Sequence, residues 1–118
     1  MISRAFRFHG HGSLNFLYRN GKVQRVELLT LRYVKARQED FRLSVIVSKK
    51  VSKSAVVRNR IRRRIYEIVR NLHKDSGAMW PYDMSITVFD ERVEHLPHDE
   101  LYSLVQNSQY LSEKCLVE

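Results

Sequence analysis

Between Arg58 and Arg70, six arginines occupy thirteen positions, interleaved with Asn59, Tyr66 and a single acid, Glu67; Lys49, Lys50 and Lys53 precede them. A guanidinium is a planar fork that grips a phosphate with two N–H groups at once and stacks on bases. A tyrosine adds a stacking surface, and an asparagine adds an amide for base or sugar edges. The chemistry on offer is the holding of a polyanion. From Lys49 to Arg70 there are nine basic residues against one glutamate, whereas the rest of the 118-residue chain carries twelve of each sign. The entire formal excess of +8 therefore sits in 22 residues, the electrostatic footprint of a nucleic-acid partner.

Means of cutting are missing from the same segment. A two-metal nuclease needs clustered carboxylates, and Glu67, alone in the basic run, falls beside Arg63 and Arg70 on a helical wheel as an ion-pair partner. His9 and His11 stand in a glycine-containing stretch without a nearby carboxylate or thiol. His95 and His98, with Glu94, Asp99 and Glu100, have the spacing of a weak metal site. Asp99 and Glu100 equally suit the first turn of a helix, and that reading is adopted. Cys115 is the one cysteine, so neither an internal disulfide nor a zinc-knuckle spacing is available. No catalytic residue and no metal ligand is assigned.

A single domain must position these residues. Residues 1–12 are expected to form a loose basic arm. Residues 13–22 suggest a short helix with Ser13 as N-cap and Gly21 as stop, presenting Leu14, Leu17 and Tyr18 on one face. Residues 23–35 have the composition of a strand, either continuous or broken in two. After a polar turn at 36–40, Phe41, Leu43, Val45 and Val47 alternate with Arg42, Ser44, Ile46 and Ser48, predicting a strand able to pair with the preceding one as a hairpin. Over 55–72 the spacing of Val57, Ile61, Ile65, Ile68, Val69 and Leu72 predicts an amphipathic helix. A strand follows at "MSITVFD", then a helix over 99–114 with Leu101, Leu104, Val105, Ser108 and Leu111 as its apolar stripe. A strand–helix–strand series implies a parallel pair joined by a crossover. The fold class is α/β (α+β), a small sandwich of one sheet with helices.

On the wheel the helix buries its stripe and turns Asn59, Arg63, Tyr66 and Arg70 outward, with Arg60 and Arg64 on one edge and Arg62 on the other. A plainly solvated helix would mix charges, with acids four residues before bases. A membrane-surface helix would need its apolar face free for lipid, but the strands require that face. No stretch approaches the ~18 apolar residues of a membrane span. "MISRAFRFHGHG" has no apolar core of a signal peptide, and a cytoplasmic, reducing location is expected.

The run "VSKKVSKSAVVRNRIRRRIYEIVRN" resembles the signature of the bacterial ribonuclease P protein subunit: Ser48-Lys49-Lys50 ending a strand, Lys53-Ser54-Ala55 in a short loop, and Arg58-Asn59-Arg60 opening a basic helix continued by Arg62 and Arg63. Leu17-Tyr18 with Gly21-Lys22 resembles the family's first helix and its exit, and Tyr82-Asp83 its fourth strand. The resemblance implies a four-stranded sheet in the order helix–strand–strand–strand–helix–strand–helix, with a left-handed βαβ crossover. It implies a protein that binds the catalytic RNA subunit and the 5′ leader of precursor tRNA. The RNA performs the hydrolysis with magnesium, and the protein works as a monomeric accessory subunit that holds no cofactor itself. Lys49, Lys50, Lys53, Arg58, Asn59, Arg60, Arg62, Arg63, Arg64, Tyr66 and Arg70 are the expected RNA contacts. Leu14, Tyr18 and Tyr33 are expected in the leader cleft between sheet and first helix. Departures from the family pattern are Ser52 in place of a loop glycine, Leu14 in place of an aromatic, Tyr66 in place of an arginine, and Asp90 where an arginine is common. A general RNA-binding module and a stand-alone nuclease are the competing readings.

Overall fold

The computed structural model describes residues 11–35, 41–77 and 82–117, with side chains described at 16–35, 41–75 and 82–107. The order is α1 (His11–Asn20), β1 (Lys22–Val26), β2 (Leu29–Lys35), β3 (Arg42–Val47), α2 (Ala55–Ser76), β4 (Tyr82–Val88), a 3₁₀ turn (Glu91–His95) and α3 (His98–Val117). Most of the arm expected over 1–12 lies outside the described residues. Residues 11 and 12 already belong to α1, so Ser13 is inside that helix and not its cap.

The stretch 23–35 is two strands. Glu27 and Leu28 make the turn, and Leu28 adopts φ 74, a left-handed conformation uncommon for a bulky side chain. Burial holds it there: Leu28 is 5 % exposed and packs in the core. The four strands order as β1-β2-β4-β3. β2 runs antiparallel to β1 and β4, with Tyr33 opposite Lys22 and Met84, and β3 runs parallel to β4, with Val45 opposite Ile86. The expected hairpin between the 23–35 stretch and β3 is thus corrected: β4 inserts between them, and α2 makes the crossover from β3 to β4.

Alternation assigns the faces. Leu29, Leu31 and Tyr33, then Met84, Ile86 and Val88, then Leu43, Val45 and Val47 all face the core. There they meet Ile61, Ile65, Ile68 and Val69 of α2 and Leu101 and Val105 of α3. α1 lies on the other face. Its Leu17 is fully buried yet stands apart from that core cluster, and Tyr18 packs under Arg32. Covered on both sides, β4 also buries Asp83 and Ser85.

Candidate nucleic-acid interface

The loop between β3 and α2 is built to expose lysines. The Val51 N–H donates to the Ser48 carbonyl at 3.0 Å, closing a turn, and Val51 itself is buried in the core. Lys49 and Lys50 are left exposed at its tip. The Ser54 N–H donates to the Ser52 hydroxyl at 3.2 Å, and Arg58 Nη1 donates to the carbonyls of Ser52 and Lys53 at 3.0 and 3.1 Å. Ser52 has no positive φ, so this loop does not need the glycine freedom of the family pattern.

Ser54 then caps α2, its hydroxyl accepting from the Val57 N–H at 3.3 Å. No acid stands in the first turn of α2. The partial positive charge of the helix N-terminus therefore adds to that of the lysines instead of being cancelled. Lys49, Lys50, Lys53, Arg60 and Arg63 are all exposed, and none makes an ion pair among the described residues. Lys49, Lys50 and Lys53 precede the first turn of α2, Arg60 follows in its second turn and Arg63 in its third.

The remaining expected contacts divide. Glu67 Oε2 accepts from Arg70 at 2.9 Å, as the wheel suggested, and Asn59 Oδ1, expected to face RNA, accepts from Arg62. Arg58 clasps the loop and so shapes the surface from within. Arg64 turns inward, its Nη2 donating to the Leu96 carbonyl at 2.7 Å and tying α2 to the segment before α3. Burial, then the nearby Arg60 charge, pushes its pKa down. Tyr66 corrects the expected outward stacking surface: it packs against the core, its hydroxyl donating to the Leu43 carbonyl and accepting from the Val45 N–H, both at 3.3 Å. The wheel missed this because β3 is an edge strand whose outer backbone groups need partners. The buried side of α2 widens to meet it.

The face under α1 forms a second surface. Tyr18 is there as expected, 45 % exposed. Leu14 lies in α1, but its side chain is outside the described set. Tyr33 is a correction. It is 2 % exposed, belongs to the core and meets Tyr82 edge-on, with ring centroids 6.3 Å apart. Strand alternation turns Arg32 to the α1 side in its place, and the Arg32 guanidinium carbon sits 5.1 Å over the Tyr18 ring centroid. Reading 29–35 as its own alternating strand would have found Arg32, but the unmarked turn at Glu27-Leu28 hid its start. On the same face Arg42 forks onto Asp83, Nε to Oδ1 at 2.9 Å and Nη2 to Oδ2 at 2.8 Å, and that carboxylate raises the Arg42 pKa. The Ser85 and Thr87 hydroxyls there have no hydrogen-bond partner among the described residues.

His95 lies 3.9 Å from Glu94, and His98 packs against Tyr102. Among the described residues no three His, Cys, Asp or Glu side chains are grouped as a metal site would require. Nor, among them, is any helix long and apolar enough to cross a membrane.

Known proteins bear on this arrangement. The family model for Ribonuclease P matches residues 2–109. The chain is 31 % identical over 105 residues to the Ribonuclease P protein component of Roseiflexus castenholzii, covering 89 % of this chain and 84 % of that protein. It is 29 % identical over 89 residues to that of Prochlorococcus marinus strain MIT 9515, covering 64 % and 69 %. The fold is similar to that of the Staphylococcus aureus RNase P protein, with a TM-score of 0.80 at 21 % identity over 92 % of this chain and 96 % of that one. The Thermotoga maritima protein gives 0.74 at 18 % identity over 86 % and 92 %.

Proposed function

The chain belongs to the Ribonuclease P protein family, and from that premise we propose how this tRNA-processing subunit divides its surfaces. The β3–α2 loop and the outer side of α2 hold the catalytic RNA, and the face between α1 and the sheet takes the 5′ leader of precursor tRNA. One observation carries this reading: Lys49, Lys50, Lys53, Arg60 and Arg63 are exposed, make no ion pair among the described residues, and precede or follow a helix N-terminus with no acid in its first turn. That is a phosphate-binding surface in charge and in geometry.

The RNA subunit performs the hydrolysis. Magnesium prefers a shell of carboxylate, water and phosphate oxygens. RNA phosphates supply such oxygens, so we assign the ion to the RNA. The protein's own residues position. Arg58 and Ser54 stiffen the loop, the five exposed cations neutralise RNA phosphates, and Tyr66 and Arg64 keep α2 seated while they do so. A single copy of the protein per RNA, working in the cytoplasm, completes the proposal.

The test is reconstitution with a bacterial ribonuclease P RNA on a precursor tRNA. At low magnesium and moderate salt, the protein should stimulate leader removal by the RNA and should cleave nothing alone. Cleavage by the protein without RNA, or failure to stimulate, would overturn the reading.

A further inference from the structure

Along its strands, the face between α1 and the sheet carries no aromatic side chain among the described residues. Tyr33 is turned into the core. The rows that cross the face run Val23–Arg32–Ser85–Ser44 and Arg25–Thr30–Thr87–Ile46. Tyr18 of α1 is half exposed there, with Arg32 already standing over its ring, and Phe16 of α1 and Phe89, just past the end of β4, are the other exposed aromatics nearby. A base therefore cannot stack on the covered side of Tyr18 unless Arg32 leaves.

The charge on the face is equally uneven. Arg25 and Arg32 are diagonal neighbours on adjacent strands, and neither makes an ion pair among the described residues. Asp83, the one acid along these strand positions, is engaged by Arg42 through both carboxylate oxygens. A guanidinium braced on an aromatic ring keeps its N–H edge available, and the ring restricts its rotamers, so less freedom is lost when it grips an oxyanion.

We propose that Arg32, braced by Tyr18, is a leader-positioning residue that grips a backbone phosphate of the precursor tRNA leader, making leader recognition by this chain depend on phosphate rather than on base identity. This deepens the reading that the face takes the leader and rests on it. Arg25, exposed beside it, extends the same electrostatic track. Recognition of this kind tolerates any leader sequence, and its affinity falls as salt rises.

The experiment measures affinity of the reconstituted holoenzyme for precursor tRNAs with no leader, a short leader and a long one. Wild type is compared with Arg32→Lys, which keeps the charge but loses the fork and the stack, and with Tyr18→Leu, which keeps apolar packing but removes the brace. Thermal melts confirm that each variant is folded. The wild-type gain from adding a leader should shrink about tenfold in Arg32→Lys, the scale of one lost charge-assisted contact. A smaller part of that gain should go in Tyr18→Leu. Replacing single leader phosphates by neutral methylphosphonates should weaken wild type at one position, and that position should have no further effect in Arg32→Lys. If wild type gains nothing from a leader, the reading of the face itself fails. If wild type gains and both variants keep the full gain, or if base changes at that position outweigh phosphate neutralisation, the role assigned to Arg32 fails while the face remains a leader site.

Discussion

The hydroxyl of Tyr66, on α2, accepts the amide N–H of Val45, on β3, at 3.3 Å, and the same oxygen lies 3.3 Å from the Leu43 carbonyl to which it donates. β3 is an edge of the sheet, and its outward amide and carbonyl groups would otherwise face solvent or another chain. A helix chiefly noticed for its charge therefore also closes an edge. Removing only the hydroxyl, Tyr66→Phe, should cost about 1 kcal/mol, the net worth of a hydrogen bond left unmade. RNA affinity should be unchanged, because the ring does not face outward. Denaturant melts and RNA titration of the same variant check this; an affinity loss without a stability loss would return Tyr66 to the RNA surface.

Neighbouring arginines should behave oppositely. Arg63 is exposed and unpaired among the described residues, whereas Arg64 donates to the Leu96 carbonyl at 2.7 Å. Arg63→Ala should leave stability within about 0.5 kcal/mol of wild type. It should lower the salt dependence of RNA binding by roughly 0.7 to 0.9 in log–log slope, the share of one phosphate. Arg60→Ala should do the same. Arg64→Ala should instead destabilise by about 1.5 kcal/mol, since it strips a part-buried carbonyl of a charged donor. Melting and salt-titration series on the three variants separate the two classes.

The contrast explains what could be read from the sequence. The apolar stripe of α2 was legible because Ile61, Ile65, Ile68 and Val69 repeat at helical spacing, and each is at most 1 % exposed. The strand order was not, because hydrophobic alternation names the face of a residue but never its neighbour across the sheet. The break between β1 and β2 was hidden for a different reason. Glu27-Leu28 contains none of the Gly, Asn or Pro signals of a tight turn, and its left-handed Leu28 is held by core burial instead. Within the interface, charge density located the right segment. It could not say that Arg58, Arg64 and Tyr66 spend their polar groups on the protein's own backbone, since those partners come from the loop before the helix, from Leu96 and from β3.

The two-pronged Arg42–Asp83 pair joins the first residue of β3 to the second of β4, which lie side by side in the parallel register. Asp83 is 8 % exposed, so Asp83→Asn should be felt: it removes the negative partner of Arg42 and one of its acceptors. A loss of about 1–3 kcal/mol is expected, measured by chemical denaturation. Loss of less than half a kilocalorie per mole would mean the pair is as weak as an exposed one.

Asp90 supplies a pH signature. It caps the 3₁₀ turn by accepting from the Arg92 N–H at 2.9 Å and also holds the Arg92 side chain. The Arg92 side chain, then its backbone N–H, holds the Asp90 carboxyl below its usual range. A depressed carboxylate contributes stability that is present above its unfolded pKa and lost as pH falls through the folded one, so the window lies below about pH 4. Asp90→Asn should be less stable than wild type at neutral pH, and the gap should close on acidification. A gap that persists unchanged at low pH would show that the ionised form is not what matters.

Two glycines should fail for different reasons. Gly77 ends α2 at φ 64, and a Cβ there would meet nothing within 4 Å. Gly77→Ala should therefore cost only the left-handed strain, about 1–2 kcal/mol, and leave leader affinity alone. At Gly21, where α1 hands over to β1, a Cβ would stand 2.5 Å from the Leu17 carbonyl oxygen, 2.8 Å from Leu17 Cδ1 and 3.1 Å from the Tyr33 carbonyl oxygen. Two of those three atoms are backbone, so the helix itself must shift relative to β2. Because Leu17 anchors α1 and Tyr18 follows it directly, that shift moves the ring away from Arg32. Gly21→Ala should lower stability and leader-dependent affinity together, and a compensating truncation of Leu17 should not restore the second, since the backbone contacts remain. Leader-length titrations beside thermal melts distinguish the two glycines; full leader affinity in Gly21→Ala would show that the α1–sheet spacing does not govern leader binding.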